Sequence, residues 1–139
     1  MIKLLDFMSL FKDTYMKVVA PVCERFNLTT AELDILLFLA NNPEYDTATD
    51  IVEKRCLVKS HVSVSLRTLE QKGYVERAYL GTNRRTIHLK LCHPAEPIIR
   101  AGQEAQLEFY KALHHGISKE EQENIERIFT IMQKNLKQL

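Results

Sequence analysis

The sequence is poor in the residues that stapled and cofactor-driven domains depend on. It has three cysteines, Cys23, Cys56 and Cys92, odd in number and widely spaced. With no Cys-x-x-Cys pair, a disulfide framework and a zinc ribbon are both poor readings. There is no tryptophan, and four glycines and four prolines are spread over 139 residues. So little glycine leaves little room for phosphate-cradling loops. Neither G-x-G-x-x-G nor G-x-x-x-x-G-K-[ST] occurs, and H-E-x-x-H is missing as well. No paired carboxylates, nucleophile elbow or Cys–His signature stands out, so an enzyme is not expected, nor a cofactor. Long apolar runs are absent too. Residues 35–40 form one of the longest, far below the roughly 20 residues that span a bilayer. Lys3, Asp6, Lys12, Asp13 and Lys17 interrupt the N-terminal segment, whereas a secretory signal places charge first and then an unbroken apolar stretch. A cytoplasmic protein with no membrane partner is expected.

What is present is an ordinary globular balance, 45% hydrophobic and 27% charged, at a length that suits one domain. The net charge of +1 hides an uneven distribution. Residues 50–93 hold nine Lys/Arg against four Asp/Glu, a local net of +5, and the remainder nets −4. A basic middle between acidic flanks points to a polyanionic partner, although a solvated charged face has the same composition.

Apolar residues at Leu4, Leu5, Met8, Phe11, Tyr15, Val18 and Val19 recur at helical spacing, and Pro21 is expected to break or bend that helix. Thr29 with Glu32, Thr47 with Asp50 and Ser118 with Glu121 have capping-box spacing and mark three further helix starts. A short helix over 48–55, a turn at Cys56-Leu57 and a helix over 60–72 follow one another, with Gly73 as the C-terminal stop. Residues 74–79 and 85–91 are rich in β-formers and flank Gly81-Thr82-Asn83, which reads as a hairpin. A helix over about 95–115, with Pro94 and Pro97 near its start and His93 as a cap, precedes a last helix. Ile125, Ile128, Phe129, Met132 and Leu136 give that helix an apolar stripe. The expected fold is mainly α with a small β-hairpin wing: a winged helix-turn-helix.

The stretch from Thr47 to Leu91 resembles the MarR family of bacterial transcription regulators. The resemblance rests on Lys59-Ser60-His61-Val62-Ser63, on residues 69–77 (LEQKGYVER), and on Asn83-Arg84-Arg85 before the second strand. Residues 28–40 (LTTAELDILLFLA) look like the family's second helix. The resemblance implies one domain over 1–139. Residues 28–93 would be the DNA-binding lobe, and residues 1–26 and 94–139 dimerisation helices. It further implies a homodimer on a pseudo-palindromic double-stranded DNA operator, acting as a repressor and released by a small-molecule effector in many members. Departures are visible. Asn83 stands where Asp is common, which would leave a wing-bracing salt bridge missing, and the wing loop looks short. Val58 replaces a Ser or Thr, and Val64 an Arg.

In the recognition helix, Val62, Leu66 and Leu69 define an inner face, which turns Ser60, His61, Val64, Arg67 and Thr68 outward. Ser60, His61 and Val64 are placed to reach base edges. Lys59 and Arg67 suit phosphate contacts, and Ser63 suits either phosphate or close packing. Arg84 and Arg85 divide the wing's work, with Arg85 the expected minor-groove residue. Cys23 and Cys56, each beside basic neighbours, are candidate redox residues. Phe11, Tyr15 and Phe38 are candidates for a ligand pocket, or plain core. The histidines form no metal site by spacing. Two other functions fit the same fold: a thiol-based oxidant sensor and a winged-helix protein-interaction module.

Overall fold

Short side chains at the helix starts close the backbone groups that a helix leaves open. Thr29 Oγ1 accepts from the Glu32 N–H at 3.1 Å while Glu32 Oε1 accepts from the Thr29 N–H at 2.8 Å. Thr47 with Asp50 and Ser118 with Glu121 form the same reciprocal pairs. In the computed structural model, which describes residues 2–139, these caps open α2 (Thr30–Asn41), α3 (Ala48–Arg55) and α6 (Lys119–Leu136). The other elements are α1 (Ile2–Phe26), α4 (Lys59–Gln71), β1 (Val75–Ala78), β2 (His88–Leu91) and α5 (Glu96–Leu113). A 3-10 turn at His93–Ala95 precedes α5, and Cys92 rather than His93 is the residue that caps it. The result is a winged helix-turn-helix with flanking helices.

Two expectations need correction. Pro21 does not break the first helix, which runs on to Phe26. Pro21 and Lys17, the residue whose carbonyl loses its helical donor to the proline, are both exposed. The helix ends instead where Asn27 turns left-handed at φ 54° and the Leu28 N–H bonds back to the Cys23 carbonyl at 2.9 Å. The wing loop is not short either. Pairing runs only from Val75↔Leu91 to Ala78↔His88, so residues 79–87 form the connection. The free edge of β2 is held elsewhere: the Leu89 N–H donates to the Asp46 carbonyl at 2.7 Å, and His88 Nδ1 lies 2.7 Å from Asp46 Oδ1.

The chain forms two compact units, residues 2–106 and 107–139. In the first, α2 is the central post. Leu33, Ile35, Leu36 and Leu37 are at most 1% exposed, the pattern of a helix surrounded by others. Ile51 of α3, Val62, Leu66 and Leu69 of α4, and Val75 and Leu89 of the wing close on one core with it. That core extends beyond residues 28–93, because Val19, Val22 and Cys23 of α1 and Ile98 of α5 join it. Each fully buried Leu or Ile contributes about 1.5–3 kcal/mol by leaving water. Gly102 permits a close approach of α5 to α2, since a Cβ there would lie 2.7 Å from Leu37 Cδ2.

In the second unit, Gly116 at φ +80° ends the preceding helix and Ser118 starts α6. The apolar stripe of α6 is not taken into a core. Ile128, Phe129, Ile131, Met132 and Leu136 are all exposed. Leu4, Leu5, Phe7, Met8, Leu10 and Phe11 of α1 are likewise exposed.

Candidate nucleic-acid interface

Two helices and a tight turn present α4. Cys56 caps α3 in the left-handed region at φ 51°, ψ 42°, a conformation that costs a non-glycine residue about 1–2 kcal/mol. The Cys56 N–H returns to the Val52 carbonyl, and so does the Leu57 N–H at 3.2 Å. The chain thereby reverses in three residues and enters α4 at Lys59. Val58, the residue before α4, makes no side-chain cap bond, so the N–H groups of this first turn stay open to an acceptor from outside.

Burial then sets which face of α4 looks out. Val62, Leu66 and Leu69 are 0–2% exposed. At about 100° per residue, the opposite direction belongs to Ser60 and Val64, with Ser63, Arg67 and His61 to either side. All five are exposed, as is Lys59. Ser63 therefore faces solvent and is not used for close packing. Thr68 spends its hydroxyl on the Val64 carbonyl at 3.3 Å.

The structure also sorts the basic residues of the middle segment. Arg55 forks onto Asp34 at 2.6 and 3.1 Å, Arg77 meets Glu70 at 2.6 Å, and Lys90 lies 3.8 Å from Glu76. Lys72 donates to the Asn27 carbonyl at 2.8 Å, and Lys54 is held over the Tyr45 ring at 4.6 Å. These cations brace the lobe. Lys59, Arg67, Arg84 and Arg85 have no carboxylate partner among the described residues, and they carry the positive potential of this face.

In the wing, Arg84 lies over the Tyr79 ring at 5.0 Å, within cation–π range. Tyr79 was not legible as part of the site, because its sequence signal is that of a strand residue. Asn83 does brace the loop, by a different bond from the expected salt bridge: its Oδ1 accepts from the Arg85 N–H at 2.9 Å. Arg85 lines an open cavity of about 380 Å³ with Thr47, Ala48 and Thr49 at the start of α3, and with Arg77.

A model of the MarR family matches residues 26–85, from the end of α1 through the wing loop. The curated HTH-type transcriptional regulator FarR of Neisseria gonorrhoeae is 25% identical over 109 residues, 78% of this chain and 74% of that protein. Over residues 26–85 the chain resembles the MarR family. Members of the family are transcriptional regulators. Two solved structures share the fold. The S. aureus MepR–DNA complex has a TM-score of 0.75 at 23% identity, over 94% of this chain and 93% of that one. NadR in complex with 4-hydroxyphenylacetate has a TM-score of 0.77 at 20% identity, over 95% and 92%.

The remaining candidates take different places. Phe38 is core, 7% exposed, while Phe11 is exposed with its ring 6.2 Å from that of Phe7. Tyr15 is half-buried, and its hydroxyl accepts from Gln106 Nε2 at 2.9 Å. Gln106 and Gln103 both bond Asn41 at the end of α2. Burial pushes the Tyr15 phenol above its usual range. Burial likewise pushes the Cys23 thiol up, which works against a reactive thiolate there. Cys56 is exposed at the turn before α4. His61 is exposed on α4, His88 is tied to Asp46, and His114 Nδ1 lies 2.9 Å from the Tyr110 carbonyl. Among the described residues no three His, Cys, Asp or Glu converge on a metal-sized site, and no helix is long and apolar enough to cross a membrane.

Proposed function

We propose that the protein is a homodimeric repressor of transcription, working in the cytoplasm on a pseudo-palindromic double-stranded DNA operator. Each protomer lays α4 in a major groove and its 79–87 loop over the adjoining minor groove. The outward face of α4 carries this reading. Lys59, Ser60, His61, Ser63, Val64 and Arg67 are free to meet DNA while the opposite face is locked in the core. A helix of this diameter fits the major groove, and its flanking cations suit phosphates. Arg84 and Arg85 add positive charge to the wing, where a narrow minor groove would receive it.

The dimer is supported by the exposed apolar residues along α1 and α6, more than scattered surface residues need. A two-fold axis would then set the half-sites about one helical turn apart. A small-molecule effector would act by favouring a lobe arrangement that no longer matches the operator. NadR was solved with such a ligand, 4-hydroxyphenylacetate. Phe11, Tyr15 and Phe38 are the candidates for such a pocket; Phe38 is taken up by the core and Phe11 is exposed, which leaves half-buried Tyr15 as the side chain best placed to meet a ligand.

The test is fluorescence anisotropy with a labelled duplex from the gene's own upstream region and a scrambled duplex beside it, titrated from low to physiological salt. Preference for the native duplex, falling steeply with salt, is expected. Equal and weak binding of both duplexes at physiological salt would overturn the operator reading and favour a protein partner for the winged helix.

A further inference from the structure

We propose that Val64 reads the 5-methyl group of a thymine, so that each half-site favours a T·A pair beneath the middle of α4. This rests on the DNA-binding reading above and adds to it the base that is read and the group that reads it.

Val64 is 60% exposed and points directly away from Val62, Leu66 and Leu69. Folding does not ask for valine there: a β-branched residue in an exposed helix interior is a poor helix former, and this one takes no part in the core. Its neighbours on this face are all polar, with His61 and Arg67 three residues to either side. Ser60 lies one turn before it and Ser63 beside it. Thr68, one turn after, has its hydroxyl turned back to the Val64 carbonyl at 3.3 Å. The isopropyl group therefore stands as the apolar high point of the face, with Lys59 and Arg67 further out to grip phosphates.

In the major groove only thymine offers an apolar projection, its C5-methyl; the other base edges present donors and acceptors. A valine pressed on guanine or cytosine edges would strip their water and return no hydrogen bond. On a thymine it meets a methyl of matching size, and its stiff χ1 holds it in one place. Arginine at this position would seek guanine instead, so the choice of valine shifts the operator toward A·T at this step.

The experiment selects bound duplexes from a random pool with the wild-type protein. Each thymine of the selected operator is then replaced by deoxyuridine, which removes only the methyl. One thymine per half-site should be sensitive. Its loss should weaken binding about fourfold, the worth of one buried methyl, and about fifteenfold when both half-sites are changed. In Val64→Ala, an exposed substitution whose thermal melt should match wild type, that same deoxyuridine should cost nothing. If a sequence is selected but no deoxyuridine matters, or if it matters equally in Val64→Ala, the Val64 assignment falls and the operator reading stands. If no sequence is selected, both fall.

Discussion

The division of basic residues into paired and unpaired ones fixes how DNA binding should respond to salt. Lys59, Arg67, Arg84 and Arg85 are exposed and lack a carboxylate partner among the described residues, whereas Arg55 is forked onto Asp34 at 2.6 and 3.1 Å. A dimer bringing four such cations from each protomer neutralises about eight phosphates; at about −0.9 per phosphate the slope of log affinity against log salt is about −7. From 50 to 200 mM salt that amounts to about a ten-thousandfold loss. Arg67→Ala removes two of the eight contacts and should bring the slope to about −5.4. Arg55→Ala should leave it unchanged, because a guanidinium already neutralised by Asp34 has no counterion-releasing contact to lose. Anisotropy titrations at five or six salt concentrations measure the slope, and circular dichroism melts confirm that both variants are folded at the assay temperature. An equal fall of slope in the two variants would refute the reasoning.

Three other outcomes are expected. Gly102→Ala should lower the melting temperature: the new Cβ would sit 2.7 Å from Leu37 Cδ2 in a side chain only 1% exposed. Overpacking of this kind costs about 1–3 kcal/mol and outweighs the roughly 1 kcal/mol gained in helix propensity, so a raised melting temperature would show that Leu37 yields. Arg84→Ala and Arg85→Ala should each weaken operator binding by about 1–3 kcal/mol; Tyr79→Leu should weaken it by about 0.5–1 kcal/mol, the worth of an exposed cation–π stack. Unchanged affinity in Arg85→Ala would assign that residue to the cavity beside α3 alone. Iodoacetamide at neutral pH should alkylate exposed Cys56 well before Cys23, whose thiol is buried and pushed up, and mass spectrometry that finds Cys23 modified first would contradict this.

The legible parts of the fold are those in which cause and effect lie within a few residues. Thr29 and Glu32 reveal a helix start because the bonds they make span three positions. Gly73 reveals a helix stop because glycine takes up φ 77° without a side-chain penalty. The outward set on α4 followed from the 3.6-residue period alone; burial agrees at Ser60, His61, Val64 and Arg67, while Thr68 is only partly exposed. The wing was legible as a hairpin, but its strand ends were not. Residues 79 and 85–87 have strand-forming types, and the ladder stops at Ala78↔His88 because Tyr79 lies under Arg84 and Asn83 caps the Arg85 N–H. Pro21 misled for a related reason. Whether a proline ends a helix depends on whether the carbonyl it orphans faces water.

By itself, the sequence determined the order of elements, the capping boxes that open α2, α3 and α6, and the inner face of α4. All of these follow from backbone geometry and short-range side-chain chemistry. Only the tertiary structure decided which cations are spent. Asp34 and Arg55 are 21 positions apart, and Asp46 and His88 are 42 apart; no local pattern announces either pair. It also decided that the apolar stripes of α1 and α6 stay uncovered within the chain. A helical period reports that a face is apolar, but not what covers it, since the covering surface belongs to whatever element the fold, or a second chain, brings against it.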